Sequence, residues 1–166
     1  MAQKIADLAD HHEGEPGFVH CHSYKIMERL YENLPPDVQF RTMMQDPDER
    51  EESLEEWFNN GKQIFLSVKM DEGISLDGDK CRWQVVAKCA YPFMGDNRVS
   101  YRLNELNDWN WYSSQAAISL QQAVGRGMRS QEDYSVTYLL DSSFESLINR
   151  NEQLFEDWFL ESIDCR

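Results

Sequence analysis

The sequence predicts an α/β domain, a mostly parallel central sheet with helices on both faces, and three observations lead there. Short strand-like apolar runs alternate with segments of helical periodicity from one end of the chain to the other. One run, Trp83–Ala90, is almost continuously apolar, as parallel strands covered on both faces are. The 166 residues, 41% of them hydrophobic, suffice for one sizeable core, and no linker, repeat or low-complexity tract divides them, so residues 1–166 read as a single domain.

Taken in order, residues 2–11 have the spacing of a short helix. Gly14-Glu-Pro-Gly17 is a turn, and Gly17–His22 a strand. Ser23 is placed to cap a helix running to about Leu34, with Ile26, Met27, Leu30 and Tyr31 inward and Pro35-Pro36 as its stop. Val38–Met43 reads as a second short strand. A helix capped by Asp46 and opened by Pro47 then runs to Asn60, with Leu54, Trp57 and Phe58 on one stripe and Gly61 at its end. Gln63–Lys69 is a third strand, with Ile64, Leu66 and Val68 facing one way, and Trp83–Ala90 is a fourth. Residues 97–110 have helical character, although the Asn/Asp/Trp run at 104–111 fits either a helix or a break. Ser113 or Ser114 caps a helix that turns Ala116, Leu120, Ala123 and Val124 inward. Tyr134–Leu140 is the last strand, and Phe144–Ile148 and Leu154–Leu160 close the chain as helices.

Thirty acidic against 16 basic residues give a formal charge of −14, and only six of the basic ones are lysine. The excess is uneven. Residues 61–130 hold nine basic and seven acidic side chains, a net of +2, so the remainder carries −16. A middle segment spared the general negative charge is suited to meeting an anion. The acidic, lysine-poor balance also fits adaptation to high intracellular salt. No apolar stretch approaches a membrane span and no signal-peptide block opens the chain, so a cytoplasmic location with no membrane partner is expected. Cys21, Cys81, Cys89 and Cys165 lack C-x-x-C spacing, and His20 and His22 share a strand face without further ligands nearby, so no metal site is expected.

Chemistry concentrates in two places. Gln122-Ala-Val-Gly125-Arg126-Gly-Met-Arg129 ends a helix with two arginines three apart and a glutamine four before the first, a spacing that lets all three share one helical face. Guanidinium forks fit phosphate oxygens, so the run suggests a polyphosphate contact. The segment Ser67–Gly78 leaves the third strand at its C-terminal end, the edge where such folds gather ligands, and carries Ser67, Lys69 and two glycines that admit close backbone approach. Trp109, Trp111 and Tyr112 are candidates to stack on unpaired bases, although packing at a helix junction accounts for them better.

Gly17–Tyr24, the S-V-x-x-x-E-G-I-x-L stretch from Ser67, the apolar strand ending Ala90-Tyr-Pro-Phe93, and Q-x-x-G-R-x-x-R-x-x-x-D-Y from Gln122 to Tyr134 occur in a telling order. In order and spacing the set resembles motifs IV, V and VI of superfamily-2 helicases, specifically the C-terminal RecA-like lobe of the XPD/DinG group of ATP-dependent DNA helicases. The resemblance covers roughly residues 15–140 and implies a RecA-like three-layer sandwich. By position it implies that Arg126 and Arg129 are arginine fingers to the γ-phosphate of ATP held with Mg²⁺ on a first lobe, and that Gln122 positions the phosphate or the attacking water. It places Glu72, Gly73, Ser75 and Gly125 on the nucleotide-facing side, and Ser23, Tyr24, Ser67 and Lys69 along a single-stranded DNA track. Where the family usually has aspartate after E-G-I, this chain has Ser75, which brings no charge to a ribose hydroxyl.

Neither a phosphate-cradling G-x-x-x-x-G-K-[ST] loop nor a D-E-A-H-like acidic pair is present, so the chain is not expected to hydrolyse ATP alone. The expectation is therefore one motor lobe, a fragment or half of a split enzyme, whose partner is an N-terminal RecA-like lobe in cis or in trans. The alternative is a non-enzymatic module derived from such a lobe that binds nucleic acid or a protein partner.

Overall fold

The computed structural model describes residues 1–68, 74, 76, 78–127 and 134–164. Its centre is a five-stranded sheet in the order β2-β3-β1-β4-β5, built from β1 (Gly17–Cys21), β2 (Thr42–Met44), β3 (Ile64–Val68), β4 (Trp83–Val86) and β5 (Val136–Leu139). Every pairing is parallel; β1 lies between β3 and β4 with Gly17 opposite both Ile64 and Trp83. Parallel strands must be joined by crossovers that return to the same edge, and those crossovers supply the covering helices.

Side chains alternate faces along each strand. Val19, Cys21, Ile64, Leu66, Val68, Trp83 and Val85 point to one side. There they meet the apolar stripes of α1 (Ala2–His11), α2 (Tyr24–Glu32) and α3 (Pro36–Phe40). On the other side Phe18 and Phe65 pack under Trp57 and Leu54 of α4 (Arg50–Asn60), together with Ile74, Leu76 and Cys81 from the segment that follows β3. The same face farther along, at Val86 and Leu139, is covered by α6 (Trp109–Val124) and α7 (Ser143–Arg150). The α/β class with helices on both faces is thus as the sequence predicts, with the described sheet entirely parallel.

Several boundaries differ from the sequence expectation. Residues 38–40 are helical rather than strand, because Pro36 at the first helical position presets φ for α3. Thr42 Oγ donates to the Val38 carbonyl at 2.7 Å and closes that helix, leaving Thr42–Met44 for the sheet. Asp46 does not cap α4; its carboxylate accepts from the N–H groups of Asp48 (2.8 Å) and Glu49 (3.3 Å), a turn that delays the helix to Arg50. Gly61 ends α4 in the left-handed conformation, as its position suggested. β4 stops at Val86, opposite the last residue of β5 and one residue short of the end of β1.

The ambiguous run at 104–111 resolves as a break and a start. α5 (Asn97–Asn104) ends, Asn107 takes a positive φ of 53°, and the Asp108 carboxylate accepts from Trp111 N to cap α6 five residues earlier than Ser113 would. The closing helix is shorter than expected: a 3₁₀ turn at Glu152–Leu154 precedes α8 (Asp157–Glu161). Gln121 ties this tail to α6, donating to the Leu154 carbonyl at 3.2 Å and accepting from Glu156 N at 2.8 Å. No described helix is long and apolar enough to cross a membrane.

Candidate functional site

The described residues among those singled out in the sequence fall at two opposite ends of the sheet. At the C-terminal ends of β1, β2 and β3, Ser23 caps α2 through Oγ, which accepts from Ile26 N at 3.4 Å. Tyr24, the first residue of that helix, sends its hydroxyl toward Gln45, whose amide nitrogen donates to it at 3.0 Å. Gln45 Oε1 accepts from the Ser67 hydroxyl at 2.6 Å and from Val68 N at 2.9 Å. Ser67 is buried at 1% exposure, so it enters this edge as a member of a network rather than as an open contact. Lys69 lies outside the described residues.

The second group is at the start of β4 and β5. α6 runs back along the sheet, and its last residues reach the N-terminal strand ends, where Gln84 Nε2 donates to the Val124 carbonyl at 2.9 Å. Gln122 is exposed on the final turn and Gly125 is the C-cap. The helix is therefore over before Arg126, which sits in a turn, its N–H on the Ala123 carbonyl at 3.2 Å. This corrects the expectation that one helical face aligns Gln122 with the arginines. What aims Arg126 is a tertiary contact: half-buried, it donates from Nη1 to the Ile74 carbonyl at 3.3 Å. Ile74 and Leu76 are buried under α4 beside Phe18, Phe65 and Cys81. Glu72, Gly73, Ser75 and Arg129 lie outside the described residues. The Arg126 contact nonetheless joins the arginine run to the residue between Gly73 and Ser75.

Similarity to known proteins identifies the domain to which these two groups belong. A profile of the helicase C-terminal domain matches residues 5–162. The chain belongs to the helicase C-terminal domain family. It is 30% identical over 143 residues to the ATP-dependent DNA helicase XPD of Sulfolobus acidocaldarius, covering 75% of this chain and 24% of that protein. It is 33% identical over 97 residues to a regulator of telomere elongation helicase 1 homolog of Anopheles gambiae, covering 50% of this chain and 10% of that one. Against these curated relatives the chain thus spans a quarter or less of their length. Among solved structures, a chain titled XPD helicase superposes with a TM-score of 0.69 at 24% identity over 93% of this chain and 30% of that one. Xpd4 of S. tokodaii gives 0.64 at 19% over 95% and 32%. At these identities the structural likeness shows the fold, a RecA-like helicase domain.

Within this helicase domain, sequence reasoning missed the residues that hold the site residues in place. Gln45 and Gln84 are buried polar side chains, at 2% and 0% exposure, to which the sequence analysis assigned no role. Asp141, just past β5, binds Cys89 N (3.1 Å) and Ser143 N (2.9 Å) and so joins the segments after β4 and β5. Burial pushes its carboxyl up, but the backbone N–H groups of Ser143 and Cys89 outweigh that and hold it below the usual carboxylate range.

His20, weighed in the sequence as a metal candidate, instead faces Gln84 Oε1 at 3.0 Å. Among the described residues no group of three His, Cys, Asp or Glu side chains is arranged to hold a metal ion. The aromatic run is a helix start. Trp111 lies under the Arg102 guanidinium, 4.4 Å from its ring centre, and Arg102 also pairs with Asp108 at 3.3 Å. Tyr112 stacks on Tyr91 at 5.0 Å, which accounts for both rings by packing.

Proposed function

We propose that this chain is the C-terminal motor lobe of an XPD-like, ATP-dependent DNA helicase, acting against a first RecA-like lobe. Arg126 and Arg129 supply positive charge to the transferring phosphoryl group, and Gln122 orients the phosphate or water. The observation that carries the reading is the Arg126–Ile74 contact, which joins the two nucleotide-facing segments in a chain of the helicase family. A guanidinium held on a fixed backbone carbonyl is pre-aimed, and pre-aimed donors contribute most where negative charge develops.

ATP with Mg²⁺, held mainly by the first lobe, would supply the phosphoryl group whose transfer to water drives the motor. On this chain Gly125, Glu72, Gly73 and Ser75 belong to the nucleotide side. The opposite edge forms part of a single-stranded DNA track gripped through the backbone, with Ser23, Tyr24 and Lys69 as the proposed contacts and the buried Ser67 supporting Tyr24 through Gln45. The two jobs are assigned to opposite ends of one sheet, and Ile74, seven residues after Ser67 in the chain, meets Arg126 on the nucleotide side.

The test is single-strand-stimulated ATP hydrolysis by this chain mixed with an XPD-type first lobe. The mixture is expected to hydrolyse ATP well above either part alone, and Arg126→Ala to lower that rate by about 10³-fold. A mixture no faster than the first lobe alone overturns the motor reading; salt-sensitive DNA binding retained under those conditions would mark a binding module instead. Ser75→Asp, which restores the family's usual charge, is expected to tighten nucleotide-dependent DNA binding in the same mixture.

A further inference from the structure

We infer that Gln84 is the positioning residue for the turn that carries Arg126, with His20 locking the orientation of its amide. The role of that turn in hydrolysis rests on the motor-lobe reading; the placement of the turn does not.

The last carbonyls of a helix have no partner within it and must be met from elsewhere. Val124 is the last residue of α6, and its carbonyl is met by Gln84 Nε2 from the sheet at 2.9 Å. The arginine turn is therefore tied to β4 two residues before Arg126. The next glycine closes the arrangement from the other side: a Cβ on Gly127 would fall 2.5 Å from Ser135 Oγ and 3.3 Å from Gln84 Nε2. Only a glycine lets the backbone lie that close to the strand start. Between these two holds, Arg126 reaches Ile74.

The amide has one workable orientation. A carbonyl only accepts, so the atom facing Val124 must be the nitrogen, and the same nitrogen donates to Thr137 Oγ at 2.8 Å. Oε1 is thereby turned to His20, and since Oε1 only accepts, His20 Nε2 must carry the proton in their 3.0 Å contact. Gln84 thus connects β1, β5 and the end of α6 from a fully buried position on β4. A buried amide with its hydrogen bonds made selects one geometry rather than adding much stability. A rotated amide would set two acceptors, or two donors, against each other. That is the property a positioning residue requires.

The experiment uses the full chain with Gln84→Met, which keeps the volume and removes the hydrogen bonds. Backbone amide exchange is read by NMR at Gly125 and Arg126, whose N–H groups bond to the Gln121 and Ala123 carbonyls. Exchange at these two amides is expected to rise about tenfold or more, while the β1 and β3 amides change little. His20→Leu is expected to raise exchange at the same two sites by less; no rise there removes the histidine from the assignment. Equal acceleration across the whole sheet, or none at the turn, overturns the positioning role, because a merely structural residue would move all protection together. In the mixture with a first lobe, Gln84→Met is expected to lower kcat about tenfold or more with KM for ATP little changed. If the wild-type mixture shows no DNA-stimulated hydrolysis, the motor reading has failed, and amide exchange still decides the role of Gln84.

Discussion

Gln45 is 2% exposed, and its side chain meets Tyr24 on α2, and Ser67 and Val68 on β3, in three hydrogen bonds from the loop after β2. Replacing it by leucine would leave the Ser67 hydroxyl and Val68 N–H buried without it, and each such group costs about 1–3 kcal/mol. Gln45→Leu is therefore expected to lower unfolding free energy by about 3 kcal/mol in a urea titration, with the m-value unchanged. It should also loosen Tyr24, one of the proposed DNA contacts; unchanged stability would mean that water replaces the amide without cost. Gln45 and Gln84 were illegible in the sequence for one reason. A hydrophobicity pattern gives no sign of what a buried glutamine does, whereas its meaning lies in partners 21 to 64 residues away. Arg126 was legible as a chemical type, but its aim, set by Ile74, was not.

Elements follow the same division between what periodicity encodes and what partners decide. Helical stripes in α1, α2 and α4 and the apolar runs of β1, β3 and β4 could be read directly, because burial on a fixed face imposes its period on the sequence. Ends were harder. Whether Val38 is strand or helix depends on the Thr42 bond to its carbonyl, and β4 stops opposite the last residue of β5. One inter-strand contact gives an element-scale prediction. A Cβ on Gly17 would lie 2.1 Å from the ring of Trp83, which is fully buried and stacked 5.5 Å from His12. Neither the backbone of a strand paired on both sides nor a buried indole has room to retreat. Gly17→Ala is expected to cost about 3 kcal/mol and to shift the Trp83 fluorescence spectrum. A silent substitution would show that β1 and β4 can separate without penalty.

For the whole molecule the α/β class and the order of motifs were legible because alternation and order survive in one dimension, whereas the meeting of Ile74 with Arg126, 52 residues later, was not. At this scale charge and burial set opposing limits on stability. Burial pushes the Cys21, Cys81 and Cys89 thiols up to about 12 from an ordinary 9.0. Below pH 9 each thiol is protonated whether the chain is folded or not, so burial carries no penalty there. Above it the unfolded chain releases protons that the folded chain keeps, and stability falls as pH rises from about 9 toward 12. On the acid side the depressed Asp141 carboxyl contributes stability that is lost as pH falls through the carboxylate range. Between these limits the dominant electrostatic term is self-repulsion at a formal charge of −14. Salt shortens the reach of that repulsion from about 10 Å at 0.1 M to about 3 Å at 1 M. If the acidity is an adaptation to salt, the thermal midpoint at pH 7, followed by circular dichroism, rises steadily between those concentrations, and folding is incomplete in dilute buffer. A fully folded chain with a flat response in dilute buffer would assign the acidic residues to surface solvation alone. Screening acts on all of the exposed carboxylates at once but barely on the buried network around Gln84. Gln84→Met should therefore retain the wild-type salt slope while its arginine turn exchanges faster, which separates the charge of the surface from the geometry of the site.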